Sequence, residues 1–361
     1  MEVAVYQFNR QLSLSKKVFV GLSGGVDSSV AAALLVEQGF EVTGVFMKNW
    51  SQDVAGHHCP WKEDLASARS VAAHLGIELK VYDFEKQYFS AVTKYMVEAY
   101  KRGLTPNPDI MCNQEIKFKV FLNKCISEGA GMIATGHYAR IVNSQLKTAI
   151  DDSKDQTYFL YRIDPNMADK ILFPIGGYKK TDVRKLAEKY RLPTAKRPDS
   201  QGLCFVGNVP MKDFLSEFIK PQQGEIIDDS GKVVGQHDGA FSYTIGQRHG
   251  LGVGGGSPYY VYKVDTKNNK VFVTHNEDSE LLNSREFRTA DCVWWQPEAL
   301  NEIELKVKVR YRSKSIPCSI KKLSEEEYLV VLSNVERAIT PGQSAVIYSG
   351  SVVVGGGIIQ S

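Results

Sequence analysis

The residues best suited to chemistry fall in three stretches. The first is SGGVDSS, residues 23–29. Gly24 and Gly25 let the backbone approach a ligand closely, because no Cβ stands in the way. Ser23, Ser28 and Ser29 offer hydroxyl donors. Asp27 puts a carboxylate in the same loop, and a carboxylate beside phosphates calls for a cation between them, with Mg2+ the reasonable choice. This is not a Walker loop, whose lysine reaches the β/γ-phosphates; no lysine follows these glycines. The second stretch is TPNPDIMCNQEIKF, residues 105–118. Pro106 and Pro108 stiffen a loop that is expected to enter a helix at Ile116. Cys112 then lies just before a helix N-terminus, where the dipole favours a thiolate. Asp109 opposes that thiolate electrostatically but can shuttle a proton. The proline-rich, polar surroundings argue against burial of Cys112. The third stretch, RPDSQGLCFVGN (197–208), sets Cys204 among Gly, Ser and Asp. Two loop cysteines suit sulfur transfer, one carrying a persulfide and the other resolving it by thiol–disulfide exchange.

The other four cysteines, at 59, 125, 292 and 318, form no C-x-x-C pair, which argues against a zinc ribbon, and the scatter argues against a disulfide framework. Cys125 sits in an apolar helical run and reads as core, while Cys292 and Cys318 sit in strand contexts. His57-His58-Cys59 has the ligand types of half a zinc site with no evident fourth ligand, so no metal centre is expected there. A net charge of +3 is too mild to imply a nucleic-acid partner, so the distribution of charge must carry that inference. An apolar content of 43% over 361 residues suits a soluble globular chain of two or three domains. No apolar run is long enough to span a membrane. Residues 1–16 lack the apolar core of a signal peptide and carry Glu2 with a single arginine, Arg10, so a cytoplasmic location is expected.

These groups need a scaffold, and the first 150 residues supply an alternating one. Strands are expected over 17–22, 42–47, 78–84 and 132–137, and helices over 30–38, 63–75, 85–102 and 116–127. Such alternation implies an α/β fold with a mostly parallel sheet and helices on both faces. Strand, glycine loop and helix over 17–38 aim backbone N–H groups and the positive helix end at one point, where a phosphate belongs. Met47, Gly136 and His137 fall at other strand ends, where ligands of such sheets bind. Residues 165–220 are expected to be helical and basic, carrying Lys179, Lys180, Arg184, Lys185, Lys189, Arg191, Lys196 and Arg197, as a solvated face or a phosphate-backbone surface. From Gly224 onward short β-branched runs alternate with turns, as expected for two small all-β units. The run 254–256 lacks a strand-then-helix context and reads as a mobile loop. In LKVKVRYRSK, positions 306, 308, 310, 312 and 314 are all basic. A regular strand would put them on one face, with Tyr311 on the other, and five unmixed positives favour a polyanion.

SGGVDS resembles the SGGxDS loop of the ATP pyrophosphatases, which split ATP between its α- and β-phosphates and pass AMP to a carbonyl or carboxylate oxygen. With GVFMKNW, EDLASARSVAAHLGI, TPNPDIMCNQEIKF, ATGHYARI, KDQTYFL, RPDSQGLCFVG, YTIGQRHGLGVGGG and ITPGQSAV in order, nearly the whole chain resembles the tRNA-uridine 2-sulfurtransferases, the 2-thiouridylase (MnmA/TrmU) family. The resemblance implies three domains. A catalytic ATP-pyrophosphatase domain would cover 1–210, its 165–210 part facing tRNA, with a small central β domain over 211–276 and a β-barrel-like tRNA-binding domain over 277–361.

The resemblance also implies a site. ATP would be held by Gly21, Leu22, Ser23, Gly24, Gly25, Val26, Asp27 and Ser28, with the adenine near Met47 and Gly136. The C2 oxygen of the wobble uridine would attack the α-phosphate. A persulfide on Cys204, loaded by a cysteine desulfurase or a sulfur-relay protein, would supply sulfur, and Cys112 would close a disulfide with Cys204. Asp109 would act as acid or base, with Asn107, Pro108 and Asp109 around the target base. Contacts to the tRNA anticodon stem-loop would fall on His137, Lys154, Asp155, Gln156, Arg310, Tyr311 and Gln343; for Tyr311 that needs a strand end or a bulge. The chemistry is coherent. A uridine C2 oxygen leaves poorly but leaves well as an AMP ester, and a loop base unstacks more easily than a duplex base. An amidotransferase of the GMP- or NAD-synthetase kind would need an ammonia source and would leave both cysteines idle. The chemistry of 4-thiouridine or lysidine formation fits the TPNPDIMCN stretch and the β units less well. A non-catalytic RNA-binding protein would not need Asp27, Cys112 and Cys204 together.

Overall fold

A computed structural model of the chain describes residues 16–198, 207, 209–254, 256–301 and 304–360. Five parallel strands form the first sheet: β1 (Lys17–Gly21), β2 (Glu41–Lys48), β3 (Glu78–Asp83), β4 (Met132–Ala134) and a two-residue strand, Ile171–Leu172. From edge to edge the order is β3, β2, β1, β4 and Ile171–Leu172. The apolar run of β1 reflects its central place: Val18, Phe19 and Val20 are all fully buried, as a strand covered on both faces requires. Helices α1 (Val26–Glu37) and α2 (Trp61–Leu75) follow β1 and β2. The chain passes from β1 to β2 and β3 on one side and reaches β4 on the other. The order therefore reverses at the carboxyl ends of β1 and β4, where a crevice for ligands opens.

Two long helices, 85–101 and 108–127, carry π-helical stretches, Phe89–Thr93 and Cys112–Phe121. Such wider turns concentrate at functional sites. The expectation of a helical 165–220 is corrected. Its described part holds a 3-10 turn (Pro165–Lys170), one α-helix of ten residues (Lys180–Lys189) and a short helix (Met211–Ser216). Pro174, Pro193, Pro198 and Pro210 break the run, because proline supplies no N–H and clashes with the preceding turn.

Beyond the parallel sheet lie the two expected β units. A four-stranded sheet is built from Gly224–Asp228, Val233–His237, Tyr260–Asp265 and Lys270–Thr274. Six strands follow: Asn283–Trp294, Leu305–Lys308, Ile316–Lys322, Tyr328–Arg337, Ser344–Ser349 and Val352–Ile359. They close into a barrel because the first also pairs with the last, Thr289 opposite Ile359. A hairpin that follows β4 (Ala139–Val142 and Gln145–Thr148) joins the edge of this sheet through Lys147 and Val352. The barrel is thus welded to the crevice of the parallel sheet. The run 254–256 includes position 255, which lies outside the described residues. Among the described residues no helix is long and apolar enough to cross a membrane.

Candidate active site

Helix α1 starts at Val26, a full turn earlier than the sequence suggested, so Asp27, Ser28 and Ser29 belong to its first turn. Their hydroxyls and carboxylate read as loop chemistry, but two serines serve the turn itself. Ser28 Oγ accepts from the Ser23 N–H (3.2 Å) and donates to the Gly25 carbonyl (3.1 Å). Ser29 Oγ donates to the same carbonyl at 2.7 Å. Of the three serines only Ser23 is exposed. The glycines have distinct duties. Gly24 sits at φ +80°, and a Cβ there would lie 2.4 Å from the Asp64 carbonyl oxygen. At Gly136, just past β4, a Cβ would lie 2.5 Å from the Ser28 nitrogen, so only glycine lets the β4 loop cross the start of α1. Met47 reaches back from the end of β2, its Cε lying 3.2 Å from where a Cβ on Gly21 would stand.

Asp27 is compensated from far along the chain. Lys180 Nζ donates to both of its carboxylate oxygens at 2.8 Å, and the Tyr138 hydroxyl donates to Oδ1 at 2.9 Å. The lysine that the loop lacks in sequence therefore arrives from the helix Lys180–Lys189. The Lys180 backbone N–H is itself fixed, donating to Asp151 Oδ2 at 2.9 Å. Arg197 straps the loop from the other side, donating to the Gly24 carbonyl at 2.7 Å and pairing with Asp64. Lys180 and Tyr138 escaped the sequence reading as site residues. Lys180 stood only as one of eight basic residues, and three of those eight, Lys180, Arg184 and Arg197, turn inward. Lys179, Arg191 and Lys196 are exposed.

The thiol side differs from expectation in two ways. The helix begins at Pro108, not Ile116, and Asn107 caps it, its Oδ1 accepting from the N–H groups of Asp109 (3.1 Å) and Ile110 (3.3 Å). Proline suits the first helical position, so the prolines here start a helix rather than stiffen a loop. Cys112 is accordingly the fifth helical residue, past the first turn in which the dipole acts. It is also buried, 0% exposed, because the earlier start turns it into the core with Ile110 and Ile116. Asp109 is half-buried. Cys204 lies outside the described residues, so the Cys112–Cys204 pairing has no placement here.

One contact joins the two sides. In the π-helical stretch Lys117 falls one i→i+5 turn after Cys112, and its Nζ lies 3.4 Å from His137 Nε2. His137 Nδ1 lies 2.7 Å from Thr135 Oγ1. Burial, then the neighbouring Lys117 charge, holds the imidazole well below its usual range. With the ammonium donating to Nε2, the neutral ring carries its proton on Nδ1 and donates to Thr135. His137 is followed by Tyr138, which binds Asp27, so loop, β4 end and thiol helix share one cluster.

The residues expected to touch tRNA divide. Asp155 is buried: Oδ1 accepts from the Ala149 N–H (3.1 Å) and Oδ2 from the Thr157 hydroxyl (2.8 Å). Gln156 Oε1 accepts from the Tyr138 N–H at 2.9 Å, and the Lys154 N–H donates to the Asp151 carbonyl at 3.0 Å. This segment braces the His137–Tyr138 turn. Gln343 Nε2 donates to the Thr105 carbonyl at 2.7 Å. The basic strand face is corrected: the strand ends at Lys308, and Arg312 adopts φ +62°, which breaks the alternation. Lys308 is half-buried, 3.8 Å from Asp155, while Arg310 is exposed and pairs with Glu336 at 2.9 Å. Tyr311 lies past the strand end that a direct contact requires, its ring 4.3 Å from that of Phe159.

The remaining candidates diverge. His57 faces Asp213 (3.6 Å), His58 lies 3.3 Å from both Asp53 and Glu63, and Cys59 is buried with Sγ 3.8 Å from the Trp50 carbonyl. Among the described residues no group of three or more His, Cys, Asp and Glu is placed to hold a metal ion. Cys125 is fully buried, and burial pushes its thiol up; the same cause lifts Cys292 to about 11 and Cys318 to about 12.

Comparison with known proteins places the three sheets in one lineage. Residues 16–208 match the family model described as tRNA methyl transferase HUP domain. Residues 212–275 match the tRNA methyl transferase PRC-barrel domain, and residues 284–359 the aminomethyltransferase beta-barrel domain. The tRNA-specific 2-thiouridylase MnmA of Neisseria meningitidis (serogroup A) is 44% identical over 349 residues, 95% of either chain. The proteins of the same name from Alcanivorax borkumensis and Chromobacterium violaceum are 44% and 43% identical, spanning 95% and 97% of this chain and 97% and 94% of theirs.

Proposed function

The chain belongs to the tRNA-specific 2-thiouridylase family, and we propose that it thiolates C2 of the wobble uridine by adenylating the C2 oxygen and then transferring persulfide sulfur. Thiolation of a tRNA uridine is the activity of the family, and use of ATP goes with it. The observation that carries the finer mechanism is the shared cluster in which Asp27, Tyr138, His137 and Lys117 link the anion loop to the helix of Cys112.

ATP would lie along Gly21–Ser28 with its adenine toward Met47 and Gly136. Asp27, a half-buried carboxylate in the first turn of α1 that already pairs with a cation, would hold Mg2+, which would offset phosphate charge. The C2 oxygen bonds to the α-phosphorus, the bond to the β-phosphate oxygen breaks, and pyrophosphate leaves with the electron pair. The terminal sulfur of a Cys204 persulfide bonds to C2 and AMP departs. The Cys112 thiolate then bonds to the Cys204 sulfur, the persulfide S–S bond breaks, and sulfur stays on C2 as the thiocarbonyl. A dithiol reductant returns two electrons to the resulting disulfide. Asp109, half-buried beside Asn107 and Pro108, moves the proton at the base. Because Cys112 is buried, this chemistry requires its surroundings to open when the base enters.

The oxygen balance supplies the test. Uridine labelled at the C2 oxygen with a heavy isotope should deliver that isotope to the phosphate of released AMP. Label appearing in water or pyrophosphate, with AMP unlabelled, would contradict adenylation of C2.

A further inference from the structure

Among the described residues two buried asparagines carry side-chain atoms with no hydrogen-bond partner. Asn49, just past β2, lacks a partner on both its oxygen and its nitrogen, so its amide can face either way. Asn113 cannot. It follows Cys112 in the chain, is 3% exposed, and its Nδ2 donates to the Phe159 carbonyl at 3.0 Å. Only the nitrogen of an amide can donate to a carbonyl, so the orientation is fixed and Oδ1 is left as a buried acceptor without a donor. The carbonyl that fixes it is held in turn: the Phe159 N–H donates to the Gln156 carbonyl at 2.9 Å, and the Phe159 ring packs 4.3 Å from that of Tyr311. A buried acceptor left unmatched costs free energy, and such groups are rare enough to require a reason.

The position of Asn113 supplies one. Asp109, Asn113 and Lys117 recur every four residues along the helix 108–127, one turn apart on one side. Lys117 meets His137 just past β4, so this side of the helix faces the end of β4, where the crevice opens. Asp109, at the other end of the row, stands where the base is to be received. Between them lies a fixed acceptor that only an incoming hydrogen can satisfy. The reacting carbonyl cannot identify the base, because uracil and cytosine both carry an oxygen on C2. They differ at the next ring atom. N3 bears a hydrogen in uracil and a lone pair in cytosine, so an acceptor fixed opposite N3 attracts the first and repels the second.

We propose that Asn113 selects uridine at this site, its Oδ1 accepting from the N3–H of the pyrimidine whose C2 is thiolated. This rests on the wobble-uridine reading above. Once O2 carries the phosphate, the same hydrogen becomes acidic and passes to the Asp109 carboxylate one turn away. Asn113 therefore governs which base enters and leaves the proton transfer to Asp109.

The test is equilibrium binding of two anticodon stem-loops, identical except for U or C at position 34, to the full chain with Mg2+ and the unreactive α,β-methylene analogue of ATP. Fluorescence anisotropy is read for the wild type, Asn113→Leu and Asn113→Asp. The wild type should favour the U34 RNA by about tenfold or more. Asn113→Leu keeps the size but not the acceptor, and its gap should close to within about twofold. Asn113→Asp keeps an acceptor while losing the donor to Phe159, and should retain most of the gap. A residue that only braces Phe159 would weaken both RNAs alike in either variant, so a gap that survives in Asn113→Leu, or no gap in the wild type, overturns the proposal. If Asn113→Leu does not fold, wild type with 3-methyluridine at position 34 decides. The methyl group replaces the N3 hydrogen, so this RNA should bind as weakly as the C34 RNA; affinity equal to that for U34 overturns the proposal. A wild type that binds neither stem-loop would overturn the wobble-uridine reading and this proposal with it, whereas a gap that Asn113 does not control overturns the proposal alone.

Discussion

The side-chain amide of Gln343, in the last turn before the closing strands of the barrel, donates 2.7 Å to the backbone carbonyl of Thr105. The Thr105 N–H donates in turn to the Pro341 carbonyl at 2.9 Å. The C-terminal barrel thus holds the entrance to the helix of Asp109 and Cys112 across 238 residues of sequence. Gln343→Ala should leave ATP affinity unchanged and cut the thiolation rate roughly fivefold, in keeping with about 1 kcal/mol for one lost hydrogen bond. Single-turnover rates at saturating tRNA separate this from a direct RNA contact, which would raise KM instead.

Gly136→Ala should abolish nucleotide binding. The added Cβ would meet the Ser28 nitrogen at 2.5 Å and the Asp27 carbonyl carbon at 2.7 Å, both backbone atoms that cannot swing aside. The collision displaces the start of α1, so ATP affinity should fall at least about tenfold. Calorimetric titration checks this; wild-type affinity would mean that β4 and α1 can separate without harm.

Arg310→Ala should weaken tRNA binding and lower the slope of log affinity against log salt by about one. Because Arg310 pairs with Glu336, its loss also uncovers a negative charge, and Glu336→Gln on the same background should restore part of the affinity. An unchanged slope would place Arg310 outside the interface.

His137 should make the protein acid-sensitive. Its imidazole is held below the ordinary 6.5 by burial and by Lys117, so between its folded value and 6.5 only the unfolded chain takes the proton. Stability should therefore be full above 6.5 and fall as pH drops below it. His137→Asn should flatten the decline in urea midpoint between about pH 7.5 and about pH 5.5, leaving the smaller share of buried His237, lowered by the same cause. An equal decline in the variant would remove His137 from this role.

What the sequence made legible was local. The order strand, glycine loop, helix over 17–38 and the β texture after Gly224 depend on neighbours in the chain, and both appear, with the helix starting a turn earlier than read. Errors arose where a residue's meaning depended on one turn of register. Pro108 could stiffen a loop or open a helix, and the choice decides whether Cys112 is a surface thiol or a core one. The basic strand failed similarly, since alternation at 306–314 holds only while the strand lasts, and it ends at Lys308. The pairing of Lys180 with Asp27 could not be read at all. It is made by packing α1 against Lys180–Lys189, and no local pattern marks one lysine among eight.

The central claim is that one anion loop and two thiols act together on one uridine. Its most direct test is reconstitution with ATP, Mg2+, a persulfide donor and unmodified tRNA, followed by mass analysis of the wobble nucleoside. The wild type should show one oxygen replaced by sulfur, with one AMP and one pyrophosphate released for each, while Cys112→Ser and Cys204→Ser bind ATP normally and give no thionucleoside. Full thiolation by both variants, or thionucleoside formed without ATP, would contradict the account.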